Sequence, residues 1–228
     1  MSLKRSFNLI FALLTGAAVW LGALSLPAEA ASPTEAAGRP AVLPEFRDIA
    51  SHWAKAEITA LLRKNYIDGY RDETTGQLDF KPDQPITRAE FVRYLVKAKE
   101  LPLSGSTESD LTDIGKNKED LAYIMTAVDY GLVNGYPDHT FRPDSTISRA
   151  EIAAILERSE MLKSGKETAF RDVPAGYWAK DAISAVREAK LFDGYEDGTF
   201  RPDQKMTRAE AVAVIYRLFS REQPDTSG

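Results

Sequence analysis

One five-residue stretch occurs three times in this chain: Ile86-Thr87-Arg88-Ala89-Glu90, Ile147-Ser148-Arg149-Ala150-Glu151 and Met206-Thr207-Arg208-Ala209-Glu210. A turn of one design precedes each copy: Gly69-Tyr70 leading to Phe80-Lys81-Pro82-Asp83, then Gly135-Tyr136 to Phe141-Arg142-Pro143-Asp144, then Gly194-Tyr195 to Phe200-Arg201-Pro202-Asp203. The arginines are spaced by 61 and then 59 residues. A period of that size with the same internal order means tandem copies of one supersecondary unit, each too small to bury its own apolar face. The chain therefore has to fold as one module of three units with a shared core.

Two amphipathic helical patterns fit each copy. Ile58, Leu61 and Leu62 share a face in the first, as do Ile124, Ala127 and Val128 in the second copy, while the third keeps Ile183 and Val186 but has Arg187 in place of a third apolar residue. In every copy 11 residues separate the first isoleucine from a glycine (58 to 69, 124 to 135, 183 to 194). Those glycines are expected to end the first helix in a turn of positive φ. The second helix starts at the repeated stretch, where Thr87 and Glu90, Ser148 and Glu151, and Thr207 and Glu210 form Ser/Thr-x-x-Glu capping boxes. Its core face is Val92, Leu95 and Val96; Ile152, Ile155 and Leu156; and Val212, Val214, Ile215 and Leu218. Between the helices there is room for a scrap of strand and no more. The class is all-α: three helix–loop–helix repeats, at 45–100, 110–160 and 169–220.

Residues 1–30 read as a signal peptide, with a charged start at Lys4 and Arg5, an apolar run from Leu9 to Leu24 and a small-x-small site at Ala28-Glu29-Ala30. Its removal takes the net charge from −5 to −6. Residues 31–44 read as a flexible leader and 221–228 as a frayed tail. An acidic chain is no candidate for holding nucleic acid by a basic surface. With no cysteine and two histidines, neither thiolate nor histidine-rich metal sites are expected. No catalytic residues, metal ligands or cofactor are indicated, because no nucleophile triad, zinc motif, phosphate loop or dinucleotide fingerprint is present.

Three sets of residues call for more than folding. Arg88, Arg149 and Arg208 follow the helix cap, where a cation meets the positive end of the helix dipole. A structural ion pair explains any one of them. Three copies at one awkward position favour an anion site, with the guanidinium and free helix N–H groups converging on a carboxylate or phosphate. Each is expected at an exposed helix start, so that truncation to alanine leaves folding largely intact. Asp48, Asp113 and Asp172 open the repeats, and taken alone read as helix caps or ion-pair partners. Trp53 and Trp178 read alone as core, but beside arginine, aspartate and glycine they suit a flat sugar-stacking surface. The second repeat departs, with Glu119 where tryptophan is expected and Asp120 where lysine is expected.

Together the Phe-x-Asp-Val/Ile start, the Trp-Ala, the Gly-Tyr turn and the Ile-Thr-Arg-Ala-Glu stretch resemble the S-layer homology (SLH) domain family over about residues 46–218. The resemblance implies a pseudo-threefold module around a central three-helix bundle, with binding grooves between repeats. It also implies non-covalent anchoring of an exported protein to cell-wall polysaccharide, often bearing pyruvate ketals. Carried over residue by residue, the ligand contacts are Arg88, Arg149 and Arg208 with Asp48, Asp113 and Asp172. Gly69, Gly135 and Gly194 would allow close backbone approach, and Trp53 and Trp178 would pack on the sugar. His139 in place of Gly198, the missing tryptophan of repeat two and five extra residues in the first turn predict unequal grooves.

The expected partner is thus cell-wall polysaccharide or peptidoglycan, with no nucleic acid and no membrane span after signal cleavage. The expected location is the cell wall or cell surface, with the periplasm of a diderm cell as the alternative. Two rival functions stay open: a small envelope subunit that docks a protein partner, and a wall hydrolase using a carboxylate pair that nothing in the sequence marks out.

Overall fold

The computed structural model describes residues 46–106, 109–115, 118–163 and 170–222. The stretches read as signal peptide and leader, and residues 223–228, lie outside the described residues. Six α-helices form within them: α1 (Lys55–Arg63), α2 (Arg88–Ala98), α3 (Lys118–Asp129), α4 (Arg149–Ser159), α5 (Lys180–Glu188) and α6 (Arg208–Glu222). Repeat one also has a short antiparallel pair, β1 (Tyr70–Arg71) with β2 (Leu78–Asp79), in which Tyr70 faces Asp79 and Arg71 faces Leu78. The five extra residues of the first turn form this hairpin. The class is all-α, as the periodicity requires, and α6 runs to Glu222, into the stretch expected to be frayed.

The main helix contacts run between repeats and not within them: α2 packs on α3, α4 on α5 and α6 on α1. The second helix of each repeat thus lies against the first helix of the next, and the third repeat returns to the first. Every predicted core residue of the second helices is buried, from Val92 and Leu95 to Ile215 and Leu218. In the first helices Ile58, Leu61, Ile124, Ala127, Ile183 and Val186 are buried, with Leu62 and Val128 partly so. Arg187 stays at the surface and lays its guanidinium over the Phe170 ring at 5.6 Å. Of the three second helices, α2 and α6 also pack directly on each other.

The backbone shows the same cyclic order. The N–H of Ile86 donates to the Met206 carbonyl at 2.9 Å, that of Met206 to Ile147 at 3.1 Å and that of Ile147 to Ile86 at 3.2 Å. One residue from each repeat donates to one and accepts from another, closing a three-member ring. Just beyond it, each helix N-terminus is satisfied by the neighbour's loop. The Arg88 and Ala89 N–H groups donate to Ser145 and Pro143 carbonyls, those of Arg149 and Ala150 to Gln204 and Pro202, and those of Arg208 and Ala209 to Gln84 and Pro82. Thr87, Ser148 and Thr207 then close capping boxes with Glu90, Glu151 and Glu210 in all three copies. The N–H groups that an isolated helix leaves orphaned are used up between repeats.

The recurrent glycines need a different explanation from the expected one. Gly69, Gly135 and Gly194 are not in the positive-φ region; Asn65 (φ 59°), Gly131 (φ 68°) and Lys190 (φ 56°) are, four residues earlier, just past the helix ends. The helices stop there, in a left-handed residue. The later glycines are needed for space. A Cβ on Gly69 would overlap the Phe46 ring and sit 2.6 Å from the Asp79 carbonyl oxygen. One on Gly135 would overlap Leu111, and one on Gly194 would overlap Phe170. The opening residue of each repeat thus lies across its own turn glycine.

Gly69→Ala is therefore expected to destabilise the protein by about 2 to 3 kcal/mol through overpacking. Gly76→Ala, with a φ of +70° but open space around it, should cost only about 1 kcal/mol of left-handed strain. Urea denaturation of the two variants checks the order; equal effects would mean that the Phe46 ring yields.

Candidate functional site

The turn that precedes each second helix carries an unusual backbone. Lys81, Arg142 and Arg201 have φ values of 57°, 60° and 56°, and each is followed by proline. A non-glycine residue is rarely left-handed, and a residue before proline is pushed towards extended conformations. The strain is held by one carboxylate per repeat. Asp48 accepts from the backbone N–H of Phe80 at 2.8 Å and of Lys81 at 2.6 Å. Asp113 does the same for Phe141 and Arg142, and Asp172 for Phe200 and Arg201. Both oxygens of each aspartate are thus engaged by the protein's own backbone.

What the strained residue presents is a cation on a tyrosine face. Lys81 Nζ lies 4.2 Å from the Tyr70 ring centre, and the Arg142 and Arg201 guanidiniums lie 3.9 and 3.7 Å from Tyr136 and Tyr195. Arg142 also pairs with Asp138 at 2.9 Å and Arg201 with Asp197 at 3.2 Å. Hydrogen bonds from Thr140 and then Arg142 hold the Asp138 carboxyl down at about 2, and those from Thr199 do the same for Asp197. These pairs are exposed, where an ion pair is weak and exchanges readily for another anion. A cation precedes the proline in every copy of the sequence, a signal that turn chemistry alone does not explain.

The three arginines of the repeated stretch sit elsewhere than expected. Their relative exposure is 7% for Arg88, 7% for Arg149 and 1% for Arg208, so the exposed-helix-start reading is wrong. Each reaches away from its own helix into the turn of the next repeat. Arg88 donates to the Asn134 carbonyl at 3.1 Å and Arg149 to the Phe200 and Asp193 carbonyls at 2.8 and 3.0 Å. Arg208 donates to Phe80 and Asp68 carbonyls at 2.8 and 2.9 Å and pairs with Glu90 at 2.7 Å. Phenylalanine and tyrosine rings cover each guanidinium, such as Phe141 at 4.8 Å for Arg88 and Phe200 at 4.6 Å for Arg149. Burial lowers the pKa of Arg88 and Arg149 from the ordinary arginine value. The free helix N–H groups that were to join them in an anion site are already taken by the neighbour's carbonyls.

Trp53 and Trp178 are 62% and 64% exposed, so the core reading does not describe them. Trp178 forms one wall of a cleft of about 680 Å³ between repeats two and three. Tyr136, Arg142 and Glu151 of repeat two and Asp203 and Lys205 of repeat three line it as well. An indole, a phenol, two cations and two carboxylates converge on one open space. Glu151 accepts from the Tyr136 hydroxyl and has Arg88 and Lys205 each 3.9 Å away. Repeat two departs as predicted in lacking the tryptophan, but its register needs correcting. Counting back from Ile124, Asp120 stands at the position of the buried Ala54 and Ala179, not at that of the lysine. There its carboxylate is buried and pairs with Arg93, which also holds Asp68 at 3.1 Å. Among the described residues, no group of three or more histidine, aspartate and glutamate side chains has the geometry to hold a metal ion, and no helix is long and apolar enough to cross a membrane.

Two expectations follow. Arg208→Ala leaves the buried Glu90 carboxylate without its cation and the Phe80 carbonyl without its guanidinium donor, and should cost about 3 to 5 kcal/mol in denaturant unfolding. Arg88→Ala should cost less, since its nearest carboxylate is 3.9 Å away and its Nε is buried without a partner. Acid should act on the same contacts. Burial raises the Glu90 carboxyl, but Arg208, Tyr70 and Thr87 outweigh it and hold the group below its ordinary 4.5. Glu151 is likewise held low against burial, by Tyr136 and Ser148. A depressed carboxyl stabilises the fold above its unfolded value and loses that contribution as pH falls through the folded one. Tm should therefore drop below about pH 4.5, and Glu90→Gln should flatten part of that drop; an unchanged slope would show that Glu90 carries none of it.

Comparison with known proteins agrees with this geometry. The S-layer homology domain model matches residues 45–92, 110–153 and 169–212, more than half of the chain. The chain is 33% identical over 174 residues to the cell surface glycoprotein 1 of Acetivibrio thermocellus, covering 68% of this chain and 7% of that protein. It is 35% identical over 159 residues to the cellulosome-anchoring protein of the same organism, covering 62% of this chain and 34% of the other. A 61-residue stretch, 26% of this chain, is 44% identical to the outer membrane protein SlpA of Thermus thermophilus, of which it covers 7%. The chain thus spans about a third or less of the length of these relatives. It belongs to the S-layer homology domain family, in three tandem repeats.

Proposed function

We propose that this module holds its protein to the cell wall by binding an anionic, pyruvate-bearing polysaccharide in the grooves between repeats, at the surface of an exported protein. The observation that carries this reading is the cleft between repeats two and three. An exposed indole beside a tyrosine gives a sugar ring an apolar face to stack on. Arg142 and Lys205 give a carboxylate two exposed cations, and the ion pair that a ligand would have to replace at Arg142, that with Asp138, is a weak surface one. The buried Arg88 lies behind the cleft and adds a fixed positive charge where solvent screens it little.

In this reading the predicted residues divide by role. Trp178, and Trp53 in its own groove, pack on sugar. Arg88 and Arg149 supply positive potential from beneath, and the cations before the prolines meet the carboxylate first. Asp48, Asp113 and Asp172 act one step back, by holding those cations in their strained turns, and Gly69, Gly135 and Gly194 by letting the turns close. Grooves that are weak singly gain through linkage, because one bound groove raises the local concentration of polymer at the next. The relatives named for the cell surface and for anchoring agree with this role. The one named as an outer membrane protein supports the alternative setting, a wall beneath an outer membrane with peptidoglycan as the ligand.

Sedimentation with purified sacculi, before and after mild acid that strips secondary polymers and ketals, tests the reading. The wild-type chain should pellet with untreated walls and stay in solution after acid. Trp178→Ala and Arg142→Ala should each weaken pelleting by about tenfold with Tm within a few degrees of wild type, since both side chains are exposed. Pelleting that survives acid would replace the polysaccharide by peptidoglycan. No pelleting on either would reject wall anchoring.

A further inference from the structure

The three inter-repeat sites are not equivalent, and the difference lies in what already faces each buried arginine. Behind the turn of repeat two, the nearest carboxylate to Arg88 is Glu151 at 3.9 Å. Behind the turn of repeat three, no carboxylate among the described residues lies within ion-pair distance of Arg149, which donates to the Phe200 and Asp193 carbonyls and feels Glu210 only from farther off. Behind the turn of repeat one, Glu90 lies 2.7 Å from Arg208. Tyr70 donates to the same Glu90 oxygen, and Tyr94 accepts from the other arm of the guanidinium at 2.7 Å while donating to the Asp68 carbonyl. Tyr94 has no counterpart: the matching positions in repeats two and three are Ile155 and Val214. The indole is missing here too, since Glu119 stands at its place in repeat two.

We propose that the groove on the turn of repeat one is occupied from within, Glu90 acting as a built-in carboxylate fixed by Tyr70 and by Arg208, whose guanidinium Tyr94 holds in place, so that this module offers two ligand grooves and not three. The proposal rests on the anionic-glycan reading for its ligand, but not for the clasp. A guanidinium holds a planar set of donors, and at Arg208 those donors are committed to two carbonyls, one carboxylate and two phenols. A ligand carboxylate at Arg208 would have to displace Glu90, which among the described residues has no other ion-pair partner, and leaving it unpaired in a buried site is costly. At Arg88 the matching Glu151 stands 3.9 Å off, and at Arg149 the matching Glu210 makes no ion pair among the described residues, so neither guanidinium is clasped by its glutamate as Arg208 is. In place of a third groove, the chain gains a tight closure between its last repeat and its first.

The experiment is NMR of the full chain as secreted by its expression host. It follows the arginine Nε–H and Nη–H signals and the two groove indoles, with a methyl glycoside of a 4,6-pyruvylated N-acetylhexosamine as probe. The first arm needs no ligand: Arg208 should show separate, slowly exchanging Nη–H signals, at least tenfold slower in rotation than those of Arg149. In the second arm the probe should shift the Trp178 and Trp53 indoles and leave Arg208 unmoved at saturation. The variant Glu90→Gln/Tyr94→Ile keeps a capping side chain and installs the residue of repeat two, and in it Arg208 should begin to titrate. Rotation of Arg208 as fast as that of Arg149 would overturn the clasp. A wild-type Arg208 signal that titrates together with Trp178 would overturn the closed groove. Silence of every signal with a slow Arg208 would count against the glycan reading and leave the clasp supported.

Discussion

The structure depends on a closed exchange of backbone hydrogen bonds among three residues, Ile86, Ile147 and Met206, each giving to one repeat and taking from another. A ring of this kind can be completed only when all three repeats are present, because removing one leaves a donor and an acceptor buried and unmatched. The helix starts beside it obey the same rule, with their first N–H groups satisfied by loop carbonyls of the next repeat. Burial follows suit, as the helices of α2 and α3, α4 and α5, and α6 and α1 pair across repeat boundaries. A solenoid sums its nearest-neighbour contacts and can end anywhere with a cap. Here the last contact returns to the first repeat, so the three units stand or fall together.

This closure explains why arginine follows the helix cap. The position is poor for a cation judged by its own helix, since the dipole is positive there. It is well placed for the neighbour, whose turn carbonyls and aromatic faces surround the guanidinium. The glutamate of the next capping box lies on the same side, so one residue caps its own helix and, in repeat one, pairs with the arginine of another. The awkward residue is thus a link between repeats before it is anything else. Burial also keeps solvent from screening its charge.

How much of this could be read from the sequence follows from the range of each interaction. The helices, their core faces and the capping boxes were legible, since each depends on residues three or four apart in the chain. The pairing of helices across repeats was not, because tandem periodicity fixes what a unit is and leaves open which unit it packs on. Arg208 illustrates the limit: the residues that bury it, Tyr70, Glu90 and Tyr94, are more than 110 positions away. Gly69 illustrates another, for a glycine needed by a crossing ring looks the same in sequence as one needed by a left-handed turn. The true left-handed residues, Asn65, Gly131 and Lys190, share no residue type that would have marked them.

The candidate site divides along the same line. The tryptophans were legible as a choice between core and surface, and only packing could make it; exposure above 60% settles where they stand. The cations at Lys81, Arg142 and Arg201 were visible in every copy but gained meaning only from a backbone angle that the following proline makes costly. Strain of that kind persists where surrounding contacts over-determine it, and here an aspartate spends both oxygens on doing so. A loop needed only as a connection could relax to an extended residue and release the aspartate. That it does so in none of the three repeats argues that the cation's place on the tyrosine face is what the turn is built to secure.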